Sequence, residues 1–429
     1  MGGAAVPASG TCGVPEHSVF RRPCPCIAMV SLADIRGAEE RIRDHVLATP
    51  LVYSPTFSAM IGARVFLKLE NLQKAGSFKV RGAMNTILSQ NASIGSKGVI
   101  AASAGNHAQG VAVAAQLAGI AATIVMPESV SISKEEATRG YGAEVILRGS
   151  SLDETLSYAH ERAAEGYTFI HPYDDPAVIA GQGTIALEIF EKLPDPDLIV
   201  VPVGGGGLIS GIATVAKALR PSVRVVGVQT AACPSAVAAR REGAPVRVEA
   251  AHSIADGILV NTLGSLPFAI MERYVDDVVT VSEDQIAMAM VLLLERKKVL
   301  AEGAGAVPLA ALLNSGLEIP QDGTVVLVIS GGNVDSPLLG RIIRKGMLKK
   351  GRIVGISVVV DDTPGTLARL LEVIAGNRGN ILHIHHERFE RDLPVQVIRV
   401  ELEIETRSHA HIEEILNALR DHGYAAEVQ

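Results

Sequence analysis

Short β-branched runs recur along this chain, and longer Ala-rich stretches with helical spacing separate them. "KGVIAAS" (97–103) is followed by "GNHAQGVAVAAQLAG" (105–119), and "AATIVMP" by "SKEEATRGYG". "AEVILRG" leads into a helical stretch from Leu152 to Ala164, and "PDLIVVPVG" into one from about Leu208 to Leu219. "VRVVGVQ" and "TVVLVISGGN" complete the set. Strands alternating with helices form βαβ units, so the sheets are parallel and covered by helices on both faces. Runs such as "LIVVPV" are far too short to span a bilayer and read as buried strands. The stretch 31–345 is too long for one small sheet. It predicts two doubly wound α/β lobes with a cleft between them, the smaller lobe covering about 65–165.

The rhythm changes after the basic stretch "RIIRKGMLKKGR" (341–352), which reads as a helix end and a linker at 346–351. From 352 to 429 the order is βαββαβ, a ferredoxin-like unit. Residues 1–28 are rich in Gly, Ala, Pro and Ser and are expected to be a disordered tail; Met29 is a candidate start, with Ser31 as a helix N-cap. That leaves 29–345 as the main domain. Three of the four cysteines lie in the first thirty residues, and no spacing matches a zinc site. A reducing, cytoplasmic compartment is the simplest expectation. The net charge of −7, the absence of Trp and 3% aromatics speak against a nucleic-acid partner, and no apolar run suits a membrane. No metal is expected: in "HIHH" (383–386) alternation puts His386 on the face opposite His383 and His385.

Chemistry begins with Gly204, Gly205, Gly206 and Gly207, between a strand and a helix. Successive glycines let backbone N–H groups converge, and a following helix N-terminus adds positive potential, so the segment reads as a phosphate cradle, with a tight turn as the alternative. It is not a P-loop, and Gln229 stands where a dinucleotide site wants an acid. Lys79 follows Phe78 at the start of a helical stretch. Burial and the positive end of a helix dipole both lower an ammonium's pKa, leaving a nucleophilic amine; a surface lysine is the alternative. A phosphate cradle together with such a lysine suggests pyridoxal phosphate.

"SFKVRGA" (77–83), "SAGNHAQG" (103–110), "GGGGL" (204–208), "EGAGA" (302–306) and "SGGN" (330–333) occur in that order. Together they resemble the threonine/serine dehydratase family of fold type II pyridoxal-phosphate enzymes, a tryptophan synthase β-like fold, over roughly 31–345. "DDTPGTLARLLEVIA" resembles the first strand–helix turn of an ACT domain. The resemblance implies a lyase that eliminates water and ammonia from L-threonine, giving 2-oxobutanoate, and converts L-serine to pyruvate. It implies that Lys79 is the Schiff-base anchor and Cα base, that Phe78 packs beside the cofactor ring, and that Asn106 meets the phenolic oxygen. Gly204 to Gly207 and Leu208 would hold the phosphate, and Ser330 would face the pyridine nitrogen. Ser103, Ala104, Gly105 and His107 would hold the substrate carboxylate. Glu302 either faces the cleft or caps its own helix, and Arg81 reads as a structural ion pair. Serine racemases of this fold carry Ser where Ala104 stands, so elimination is expected over racemisation. Asp362, Gly365 and Thr366 would bind an amino-acid effector, isoleucine or valine, at the interface of a homo-oligomer (dimer or tetramer). A racemase of the same fold and a non-catalytic amino-acid sensor are the competing readings.

Overall fold

The computed structural model describes residues 29–314, 316–319, 322–387 and 393–429; the tail expected at 1–28 lies outside them. The first helix, Leu32–Ile42, starts at Ser31, whose side chain and that of Asp34 form a reciprocal capping box.

The larger lobe is built on a six-stranded sheet in the order Leu51–Tyr53, Arg64–Leu69, Thr324–Ile329, Leu198–Pro202, Arg224–Thr230, Asp277–Val281. Only the first pair is antiparallel. Every residue of Leu198–Pro202 and Thr324–Ile329 is buried, as expected of central strands covered on both faces. The smaller lobe carries a parallel sheet in the order Glu144–Leu147, Ala122–Met126, Val99–Ala102, Thr168–Phe169. The expected small-lobe limits of 65–165 therefore need correction at both ends. Arg64–Leu69 pairs with Thr324–Ile329 of the large sheet, and the small sheet closes with Thr168–Phe169.

Three helices cross where the lobes meet: Lys79–Gln90, Pro176–Lys192 and Gly207–Leu219. Glycines permit the approach. A Cβ on Gly181 would lie 2.6 Å from the Arg81 carbonyl oxygen, and one on Gly211 would lie 2.5 Å from that of Ile179. Beside this crossing, Lys68, Glu70, Arg81 and Glu188 form a buried, charge-balanced network. Arg81 Nε meets Glu70 Oε2 at 2.8 Å and its Nη1 meets Glu188 Oε1 at 2.6 Å, while Lys68 Nζ bonds Glu188. Arg81 is thus a structural ion-pair residue.

The C-terminal domain is an antiparallel sheet in the order Asn380–Glu387, Val397–Glu405, Ile353–Asp361, Ala426–Val428, covered by the helices Thr366–Gly376 and His409–Asp421. Alternate residues of Val397–Glu405 are buried, as a sheet covered on one face requires. The linker expected at 346–351 is mostly helix: Ser336–Lys349 continues through it because Ile342 and Gly346 keep a buried stripe at helical spacing. No helix among the described residues is long and apolar enough to cross a membrane.

Candidate active site

A cavity of about 270 Å³ lies between the lobes, and every site residue expected in the main domain lines it: Phe78 and Lys79, the segment Ser103 to His107, the segment Gly204 to Leu208, Glu302 and Ser330. Local chemistry explains each position. Lys79 is the first residue of its helix. Its Nζ donates to the Pro172 carbonyl at 2.9 Å and stands 5.3 Å from the centre of the Phe78 ring. Burial pushes its ammonium down to about 8, against the opposing pull of Glu302.

Ser330 follows directly on the central strand Thr324–Ile329, is buried, and its carbonyl accepts the Phe78 N–H at 3.1 Å. That bond and the Ser77–Gly331 bridge tie the lysine loop to the large sheet. Gly206, at φ +94°, caps the helix Gly207–Leu219, so the first-turn N–H groups have no intrahelical acceptor. The glycines are also required by packing: a Cβ on Gly205 would lie 2.2 Å from the Tyr173 ring, and one on Gly207 would lie 2.8 Å from the Tyr173 carbonyl oxygen.

Asn106 begins the helix Asn106–Ala118 without capping it. Its Nδ2 donates to Glu302 Oε1 at 2.7 Å, and its Oδ1 accepts from Asn333 Nδ2 at 2.9 Å. Glu302 therefore faces the cleft. Burial first, then the neighbouring Asp256, pushes its carboxyl up to about 8. His107 donates from Nε2 to the Ile170 carbonyl at 2.9 Å. Burial, with the nearby Lys79 charge, pushes it down to about 3, so the ring is neutral. Gly105 N–H donates to Ser103 Oγ at 3.1 Å, which shapes the turn beside Ala104.

Sequence reasoning missed several lining residues. Tyr173 comes from the turn "HPYDDP", which carries no motif of its own. Gln182 sits inside a helix where nothing marks it as functional. Asn333 closes "SGGN" and also donates to the Ala75 carbonyl at 2.7 Å, holding the loop ahead of Lys79. Lys134 of the smaller lobe and Asp256 of the larger pair at 2.8 Å at the cavity.

The expected effector residues lie apart, on the turn between Ile353–Asp361 and Thr366–Gly376. Gly365, at φ +87°, is the helix N-cap. The Thr366 hydroxyl is 2.8 Å from that of Thr363 and accepts from Arg369 at 3.0 Å, and Asp362 lies exposed just ahead of them.

Residues 42–331 match the family described as "Pyridoxal-phosphate dependent enzyme". The chain belongs to the pyridoxal-phosphate-dependent enzymes. Residues 354–423 match the ACT domain. The chain is 48% identical to the L-threonine ammonia-lyase of Thermotoga maritima over 93% of its own length and 100% of that protein. Among solved structures, the processed form of threonine deaminase isoform 2 from Solanum lycopersicum is 36% identical, with a TM-score of 0.69 over 73% of this chain and 91% of that one. Maize serine racemase is 36% identical, with a TM-score of 0.70 over 75% and 99%. As a member of this family the chain uses pyridoxal phosphate, and its residues suit that group. They supply a lysine with a lowered pKa, a glycine turn that admits no Cβ at a helix mouth, and a serine at a strand end, all on one cavity.

Proposed function

We propose that the protein is a threonine ammonia-lyase that converts L-threonine to 2-oxobutanoate and ammonia, and L-serine to pyruvate and ammonia. One observation carries the reading: Lys79, the glycine turn, Asn106 and Ser330 meet on a single cavity although far apart in sequence. The relatives named for threonine deamination support the same substrate.

When bound, pyridoxal phosphate supplies an electrophilic carbon for the amine and an electron sink for the pair left at Cα. Lys79 would attach it covalently, and the glycine turn with Leu208 would hold its phosphate through backbone N–H groups. Phe78 would pack beside the ring, and Asn106 would donate to the ring's phenolic oxygen, kept in register by Glu302 and Asn333. Ser330 would offer the ring nitrogen a hydroxyl rather than a carboxylate. A hydroxyl there would leave the sink weak, which would favour prompt loss of the β-hydroxyl over longer-lived chemistry at Cα. The backbone from Ser103 to His107 would hold the substrate carboxylate. Lys79, as a neutral amine, would take the Cα proton. Ala104, which lines the cavity with a methyl group, offers no acid or base, and this supports elimination over racemisation.

The ACT domain supports control by an amino acid, with isoleucine or valine the effector, Asp362, Gly365 and Thr366 its contacts, and a homo-oligomer the working form. That control suits a place in isoleucine synthesis. Cys233, in no disulfide among the described residues and buried, is in keeping with the cytoplasmic location we propose. The experiment is an assay of 2-oxo acid on L-threonine and L-serine, with Lys79→Ala as control. Wild type should form 2-oxobutanoate and the variant should not; no keto acid from wild type, or full activity in the variant, overturns the reading.

A further inference from the structure

Gln182 lines the cavity, is 1% exposed, and its buried Oε1 makes no hydrogen bond among the described residues. Such orphaned acceptors are rare in folded proteins. Glycine crossings locate the Gln182 side-chain amide and its stretch of helix. A Cβ on Gly82, one turn into the Lys79 helix, would lie 2.4 Å from Gln182 Nε2 and 2.9 Å from its Cδ. On the other side, a Cβ on Gly211, one turn into the helix Gly207–Leu219, would lie 2.6 Å from the backbone nitrogen of Gly183. Gln182 therefore stands on the middle helix, about one turn beneath both the Lys79 and the Gly207 helix mouths. Two helix N-termini and a glycine turn make that end of the cavity suited to an anion.

We infer that Gln182 binds the phosphate of pyridoxal phosphate through its side-chain amide, with Oε1 accepting from a protonated phosphate oxygen. This rests on the cofactor assignment and not on the choice of threonine. The chemistry is one of matching donors. Backbone N–H groups of the glycine turn suit the unprotonated oxygens, which only accept. An amide oxygen also only accepts, so the group that pairs with it is a P–O–H. Gln182 thus favours the monoanion, and it keeps a proton on the phosphate within the cavity where the β-hydroxyl leaves. The titratable groups lining the cavity are Lys79, Tyr173 with His171 packed 4.8 Å from its ring, His107, Glu302, Lys134 and Asp256; Asp175 is turned to the head of the Gln182 helix, which it caps.

The test uses the full chain with Gln182→Met, which keeps length but cannot hydrogen-bond, and Gln182→Glu. Cofactor is removed and titrated back, and the ³¹P resonance of the bound phosphate is followed against pH. Gln182→Met should weaken cofactor binding about tenfold and lower the phosphate's titration midpoint. Gln182→Glu should weaken binding further and raise the midpoint, since a second negative charge favours the protonated phosphate. Circular dichroism of the cofactor-free proteins checks folding, and if the Met variant does not fold the Glu variant decides by the sign of its midpoint shift. Unchanged midpoints with binding within twofold of wild type overturn the inference and leave Gln182 as packing. A wild type that makes no 2-oxobutanoate while these shifts appear would sink the threonine reading and leave this one standing.

Discussion

The lowered pKa of Lys79 makes a quantitative prediction about cofactor capture. An ordinary lysine titrates at 10.5, and burial brings Lys79 to about 8. At pH 7 about one amine in ten is then neutral, against about one in three thousand for a free lysine, a gain of about 300-fold in the nucleophilic form. Only the neutral amine attacks the cofactor carbonyl. The rate at which cofactor-free protein acquires the visible absorbance of bound pyridoxal phosphate should rise about tenfold per pH unit below 8 and level off above it. The sign of the Glu302 contribution gives an internal control. Glu302 is the nearby group that holds the ammonium on, so Glu302→Gln should move the midpoint down. Stability follows by linkage. Between pH 8 and 10.5 the unfolded chain keeps the lysine proton and the fold does not, so the cofactor-free fold gains stability as pH rises through that window. Below 8 the charged, buried amine is a full penalty, and Lys79→Met removes the slope. A capture rate that climbs steadily to about pH 10, or one flat from about pH 6, refutes the reasoning.

Three further outcomes are expected. Arg81→Met leaves Glu70 and Glu188 facing only Lys68 in a buried site, and urea unfolding should show a loss of about 3–5 kcal/mol; a loss below about 1 kcal/mol would mean the network is solvated. Gly205→Ala pushes a methyl into the Tyr173 ring, so cofactor affinity should fall about tenfold or more, with about 1–3 kcal/mol of overpacking cost in thermal unfolding. Unchanged cofactor titration would contradict the cradle. Glu295 lies in a π-helical turn, Leu293–Lys297, shortly before Glu302, and it pairs with Lys350 at 2.8 Å and Arg352 at 3.0 Å at the start of the ACT domain. Glu295→Gln should keep the basal rate and blunt the response to L-isoleucine or L-valine, measured as initial rate against effector concentration; an intact response would exclude this route.

The alternation of strands and helices made the two parallel sheets legible, because period and run length are local properties. Strand partners were not, because pairing is non-local. Nothing local to Arg64–Leu69 says that it will lie beside Thr324–Ile329 across the whole domain, and the lobe boundary expected at about 65 differs for that reason. Lys79, the glycine turn and Ser330 were legible as motif residues whose types suit distinct edges of one cofactor. Glu302 stayed undecided in the sequence because its partner, Asn106, is 196 residues away. Tyr173 and Gln182 were invisible: an aromatic in a turn and an amide in a helix are ordinary until packing sets them on the cavity.

The glycines around Lys79 show why packing and chemistry cannot be separated in this site. A Cβ on Gly110, one turn into the Asn106 helix, would lie 3.0 Å from the Lys79 carbonyl carbon and from its Cβ. Gly82 makes the corresponding room for Gln182, and Gly181 does so for the Arg81 backbone. The Lys79 helix is thus held at near-contact distance from the helix that begins with Asn106 and from the helix that carries Gln182. Each contact leaves almost no radial slack. The side chains one turn above, Lys79 and Asn106, inherit their separation from backbone contacts and not from adjustable rotamers. Precision of the kind catalysis requires then follows from close packing in the crossing. The buried charge network beside it, centred on Arg81, fixes the rotation of the same helix about its axis. Positions that look like simple packing glycines and a structural ion pair therefore set where the amine of Lys79 points.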